Sequence, residues 1–293
     1  AVGTSTLFEN TTGANNVAVG AFALDRNTTA NSNTAIGTVA LTQNLTGANN
    51  TALGSGSLSA NTTASNNTAI GYEAMDQNTT GTKNVAVGAL ALDANTTASF
   101  NTAIGFASLS TNTTGIDNTA IGSNALDVNT TGADNVAVGA FALDANTTGQ
   151  KNVSIGRGSM GSNTTASNNT AVGENALFAN TTGTNNTAVG ANALDANTTA
   201  DDNTAVGNNS LGSNTTGTNN TAVGRSALVA NVVSDANTAV GARALANNTS
   251  GSNTAVGNNA LEDNTSGSQN TAVGQNALKQ NTTGDFNTAL GRA

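Results

Sequence analysis

The 293-residue chain contains no cysteine, histidine, proline or tryptophan, and only 3% of it is aromatic. Each absence removes a class of chemistry. Without His or Cys there is no Ser-His-Asp or Cys-His nucleophile, no thiolate or imidazole zinc site, no haem or iron–sulfur ligation of the usual kind and no disulfide framework. Charged side chains make up 9% of the chain, against roughly 25% in an average soluble domain. Eight basic and 17 acidic residues leave a net charge of −9, which argues against a nucleic-acid partner that needs Lys and Arg to replace counterions. No apolar run approaches the roughly 18 residues of a membrane span. Neither an initiator Met nor a signal-peptide pattern opens the sequence at Ala1-Val2-Gly3, so the natural product is expected to extend beyond these ends. Nothing in the composition calls for a metal or a cofactor.

What remains is dominated by Gly, Ala, Ser, Thr and Asn, and it is periodic. Glycine closes the words NTAVG, NTAIG and NVAVG at Gly3, Gly20, Gly37, Gly54, Gly71, Gly88, Gly105 and onward to Gly291. The step is 17 residues throughout, except for one step of 16 between Gly241 and Gly257. Numbered from its first Asn, the unit reads NTAVGxxALxxNTTGxx, and no part of the chain falls outside it. Positions one and twelve are Asn in every repeat, position three is Ala except for Ser154, and position nine is Leu except for Met75 and Met160. Positions six, seven, ten, eleven, sixteen and seventeen accept charged, polar and aromatic residues freely. Invariant columns are expected to be buried, variable ones to face solvent.

A 17-residue period is too short for the two-helix repeats of about 33 residues or more, and it lacks a 3.6-residue apolar rhythm. The fold expected is all-β: a parallel β-solenoid, or β-roll, of about seventeen coils forming one continuous domain over residues 1–293. Strand alternation separates positions two and four from positions one and three. The apolar pair, exemplified by Ile121 and Val138, is expected to join Leu24, Leu41, Leu126 and Leu143 of position nine in the core. Gly20, Gly37, Gly54 and Gly71 permit a turn that a Cβ would obstruct. Buried Asn side chains can bond to their counterparts one coil away. Asn16, Asn33, Asn50 and Asn67 form one such ladder, and Asn27, Asn44, Asn61 and Asn78 a second. At about 4.8 Å per coil the stack predicts a stiff rod on the order of 80 Å long.

Three motifs invite functional readings. Position twelve makes Asn-x-Thr or Asn-x-Ser triplets such as Asn27-Thr28-Thr29 and Asn146-Thr147-Thr148, which are glycosylation acceptors or simply a product of the ladder. Asp25, Asp76, Asp93, Asp127, Asp144, Asp195 and Glu262 share position ten, as a cation-binding stripe or, the preferred reading, as a solvated edge that resists aggregation. Thr28, Thr29, Thr62 and Thr63, at positions thirteen and fourteen, could present a flat Thr array to ice or glycans, or serve only as good strand formers. No paired carboxylates or phosphate loop stand out, so no catalytic residue is assigned.

Over its whole length, on the words NTAVGxxAL and NTTG, the chain resembles the repeat arrays of tail-fibre-like surface proteins of bacteria and phages. More distantly, NVAVG at Asn16–Gly20 and Asn135–Gly139 resembles the head repeats of trimeric autotransporter adhesins, whose unit is shorter. That resemblance implies a left-handed parallel β-roll, often a homotrimer, exported to the cell or virion surface. The function expected is a non-catalytic extracellular fibre or adhesin stalk, part of a longer fibre. Its partners would be copies of itself, as a trimer or head-to-tail filament, and surface glycans or a host surface. The alternative is an ice-binding solenoid.

Overall fold

A computed structural model describes residues 1–292. It is all-β, with seventeen three-residue strands and no helix among the described residues. Two compact units are distinguished, Ala1–Thr148 and Gly149–Ala293. The first carries β1 (Val17–Val19) through β8 (Val136–Val138); the second carries β9 (Val153–Ile155) through β17 (Thr288–Leu290). Within each unit, successive strands pair in parallel and in strict register, one coil of 17 residues apart, or 16 for Thr238↔Thr254 in the second unit, as Thr34↔Thr51, Ala35↔Ala52 and Ile36↔Leu53 do in the first and Thr187↔Thr204, Ala188↔Ala205 and Val189↔Val206 in the second. Each unit is therefore a parallel β-solenoid, in which the word NTAVG supplies the strand and the other residues of the repeat turn the chain back beneath it.

Register keeps like residues stacked, but the strand faces are the reverse of the expectation. The central residue of β1 through β16, Ala in all but Ser154 of β9, is buried: Ala35, Ala69, Ala120 and Ala137 are fully shielded. Its neighbours point outward, so Ile121 is 38% exposed and Val138 is only partly covered. Ile121 and Val138 are thus corrected from core to surface. The reason is space. Position three faces position eight of its own coil across a narrow interior, as shown by Ser154, whose Oγ donates to the Ser159 carbonyl at 2.8 Å. Only a methyl or hydroxymethyl group fits there. The remaining volume is filled by Leu at position nine, with Leu24, Leu41, Leu126 and Leu143 all fully buried.

Backbone conformation closes the coil. Gly20, Gly37, Gly54 and Gly71 have φ of 129°, 141°, 142° and 141°, a region open to glycine and strained for other residues. A Cβ on Gly54 would lie 2.1 Å from the Gly71 carbonyl oxygen of the next coil. Positions seven, nine and seventeen are left-handed as well, with Phe22 at φ 59°, Leu24 at 53° and Ser32 at 60°. These reversals turn alternate N–H groups up and down the stack. Phe22 N–H donates to Thr4 O of the coil before at 2.9 Å, and Leu24 N–H donates to Ala40 O of the coil after at 3.0 Å. The corner thereby keeps inter-coil hydrogen bonds that an ordinary loop would give to water.

Leu126→Ala is expected to destabilise by about 2–5 kcal/mol, as core truncations do, whereas Ile121→Ala should cost less than about 1 kcal/mol as a partly exposed change. Urea unfolding of the two variants checks this; equal losses would return position four to the core.

Candidate functional site

The residues that repeat without change form a polar spine. In the position-twelve column, Asn44 Nδ2 donates to Asn27 Oδ1 at 2.9 Å, Asn61 to Asn44 at 2.8 Å and Asn78 to Asn61 at 3.2 Å. The second amide hydrogen goes to the carbonyl three residues on, as from Asn44 to Gly47 O at 2.9 Å. The position-one column is built differently. Its Oδ1 accepts the backbone N–H of the next coil's Asn, from Asn33 to Asn16, Asn50 to Asn33 and Asn67 to Asn50 at 2.9–3.0 Å. Its Nδ2 reaches the position-fifteen carbonyl fourteen residues on, so Asn33 also bonds Gly47 O at 2.9 Å. Gly47 O is therefore a junction that receives one amide from each column. Aspartate lacks the donors and serine offers too few, which accounts for an Asn-only column. In the second unit the position-twelve ladder runs through Asn163, Asn180, Asn197, Asn214 and Asn231 in the same way.

The 16-residue step interrupts the position-twelve ladder, leaving Asn231 Oδ1 buried without a hydrogen-bond partner among the described residues, and the ladder resumes from Asn264 Nδ2 to Asn248 Oδ1 at 2.7 Å. Ser250 O takes the junction role, accepting Asn248 Nδ2 at 2.6 Å and Asn237 Nδ2 at 2.9 Å. Nearby, the Glu262 carboxylate is buried between Arg243 at 2.5 Å and Lys279 at 3.2 Å. Arg243 lies in the shortened coil, and Lys279 stands one coil beyond Glu262 in the same position-ten column, so the two cations flank the carboxylate from either side.

In the folded coil the position-twelve Asn side chains Asn27, Asn44 and Asn146 are fully shielded, and Asn44 Nδ2 spends both hydrogens inside. Thr28 and Thr62 send their hydroxyls to the backbone of the next coil, at Leu45 O and Thr79 O, both 3.2 Å. Thr29 and Thr63 are exposed. The two Thr columns lie in bends rather than strands.

The acids of position ten do not converge. Among the described residues no group of three or more His, Cys, Asp or Glu is placed to hold a metal ion. Asp93, Asp144 and Asp195 are half-buried, and loss of hydration raises the pKa of each carboxyl, against backbone N–H groups that lower it. Neighbouring carboxylates raise it further, Asp76 and Asp127 for Asp93 and Asp127 for Asp144.

No protein-family model matches the chain, and a search of curated proteins finds no significant relative.

Two outcomes follow from this geometry. Asn112 Nδ2 donates to Asn95 Oδ1 at 3.2 Å and Gly115 O at 2.9 Å, while its Oδ1 accepts from Asn129 at 2.9 Å. Asn112→Asp would aim a buried carboxylate at two acceptors, and a loss of at least about 3 kcal/mol is expected in chemical unfolding. Loss below about 1 kcal/mol would mean that the ladder is not needed for stability. The second concerns pH. Carboxyls with a raised folded pKa bind protons more tightly when folded, so their contribution favours folding below the unfolded value, near 4, and is lost as pH rises through the folded value. A triple Asp93→Asn, Asp144→Asn, Asp195→Asn variant should melt above the parent at pH 7, with the advantage vanishing below about pH 4. An equal advantage at both pH values would remove burial of these carboxylates as its cause.

Proposed function

We propose that the chain is a non-catalytic structural element, a fibre or adhesin stalk displayed outside the cell or on a virion. The observation that supports this reading is where the invariant residues are spent. Asn at one and twelve, Ala at three, Gly at five and Leu at nine are committed to contacts between neighbouring coils, while the variable columns face outward. A chain that keeps its stacking groups constant and lets its surface drift is built for length and shape. Charged side chains at the edges suit solubility of such an element. Repeated stacking also confers stability that grows with each added coil.

Electron microscopy of native material, with mass per unit length read from the same particles, tests the reading. Elongated fibres or stalks are expected. Compact isolated particles, together with thermal hysteresis in an ice-growth assay, would replace the stalk with the ice-binding alternative.

A further inference from the structure

The short coil, residues 237–252, is bonded unequally to its two neighbours. Toward the coil that follows, its Asn corner keeps the ordinary contacts: Asn264 Nδ2 donates to Asn248 Oδ1 at 2.7 Å, Thr249 N–H and Oγ1 each donate to Thr265 O at 2.9 Å, and Ser250 Oγ donates to Gly267 O. Toward the coil before, the rungs are missing. Asn231 is fully buried and spends its Nδ2 on Asn214 Oδ1 at 3.0 Å and Ser234 O at 2.9 Å, yet its Oδ1 has no partner among the described residues. Asn248 Nδ2, the donor an ordinary coil would supply, turns to Ser250 O at 2.6 Å instead. The next residue repeats the loss. Thr215 gives both its N–H, at 2.8 Å, and its Oγ1, at 3.0 Å, to Val232 O, but Val232 has no hydroxyl and its N–H donates to no protein group among the described residues. What still joins residues 231–237 to 248–252 is Ser234 Oγ to Thr249 O at 2.7 Å, Ser252 N–H to Asp235 O at 3.1 Å and Asn237 Nδ2 to Ser250 O at 2.9 Å.

We infer that the second unit opens first at this seam, between residues 231–237 and 248–252, and that the Glu262 ion cluster fastens the short coil to the block that follows it. The seam is independent of the stalk reading. A stacked array is stabilised by each interface between neighbouring coils, so its weakest interface sets where it parts. Opening an ordinary Asn corner strips satisfied amides of their partners, whereas opening this one lets water reach a buried acceptor that has none. The strand pairing Thr221↔Thr238 continues across the same two coils, so the sheet serves as the hinge while the Asn corner separates. The ion cluster decides on which side of the short coil this happens. Glu262, buried, pairs with Arg243 of the short coil at 2.5 Å and with Lys279 of the coil beyond its own at 3.2 Å. Three successive coils are tied by these charge-assisted contacts, and neither contact reaches the coil before the short one.

Hydrogen exchange of the full chain, read by NMR relative to intrinsic rates, is the test. Ser252 N–H and Asn237 Nδ2 have their acceptors across the seam. Their counterparts in intact coils are Asn168 N–H, bonded to Gln150 O at 3.0 Å, and Asn203 Nδ2, bonded to Gly217 O at 2.8 Å. The seam protons should exchange at least ~10-fold faster than these counterparts, because their release needs only the local opening. Inserting one threonine between Thr249 and Ser250 restores a coil of 17 residues and should bring both rates down to those of the counterparts. Glu262→Gln should accelerate Thr249 N–H, whose acceptor Thr265 lies on the fastened side, by about the same ~10-fold. Equal rates at seam and counterpart in the parent chain overturn the inference without recourse to any variant. Fast exchange that the insertion leaves unchanged overturns it as well, since the missing residue would then not be the cause. An unaltered Thr249 rate in Glu262→Gln overturns the role given to the ion cluster.

Discussion

The carbonyl oxygen at position fifteen holds the fold together. At Gly47 it accepts one amide hydrogen from Asn44, three residues earlier, and one from Asn33, fourteen residues earlier, so two side-chain columns and the backbone meet at a single atom. A coil whose interior is an alanine, a second small residue and one leucine buries little apolar surface, and hydrophobic stabilisation scales with that area. The buried amides are consequently decisive in a way they are not in a thicker core. A satisfied hydrogen bond contributes only about 1 kcal/mol net, but an orphaned buried donor or acceptor costs about 1–3 kcal/mol. The columns therefore act less as glue than as a selection rule, under which only a coil in the right register leaves nothing unpaired.

The same economy of space governs the backbone. Left-handed residues cost ordinary side chains roughly 1–2 kcal/mol each, yet Leu24, Leu126 and Leu143 sit at φ of 53–54°. Their burial and the inter-coil hydrogen bonds offset that strain. Glycine at position five is the firmer constraint, because a Cβ there meets the next coil's carbonyl and not merely a disfavoured torsion angle. Conformation and stacking are thus two views of one requirement: each peptide must present its N–H or C=O along the coil axis.

Period, solenoid class, the position-twelve ladder and the glycine turn were all legible from column invariance. The strand faces were not. Alternation partitions a strand into two sets without saying which is inside, and apolarity favoured Ile121 and Val138 over the alanines between them. A better signal was present in the substitutions. Position two exchanges Thr for Val across repeats, a change of polarity that a surface tolerates, while position three admits only Ala and one Ser. Left-handed positions seven and seventeen also had a mark, being rich in Asn, Asp and Gly, as at Gly56, Asn124, Asp134 and Asn185, the residues that adopt this conformation most readily. The Arg243–Glu262–Lys279 cluster was harder to anticipate, since it joins position seven of the shortened coil to position ten of the two coils after it.

Amide hydrogen exchange read on the Asn side chains tests the stacking account most directly. The Nδ2 protons of buried Asn44, Asn61 and Asn78 should exchange far more slowly than those of exposed Asn49 and Asn66, because release requires coils to separate. Exchange at the same rate in both groups would show that the ladder is open in solution and that something other than the Asn columns holds the coils together.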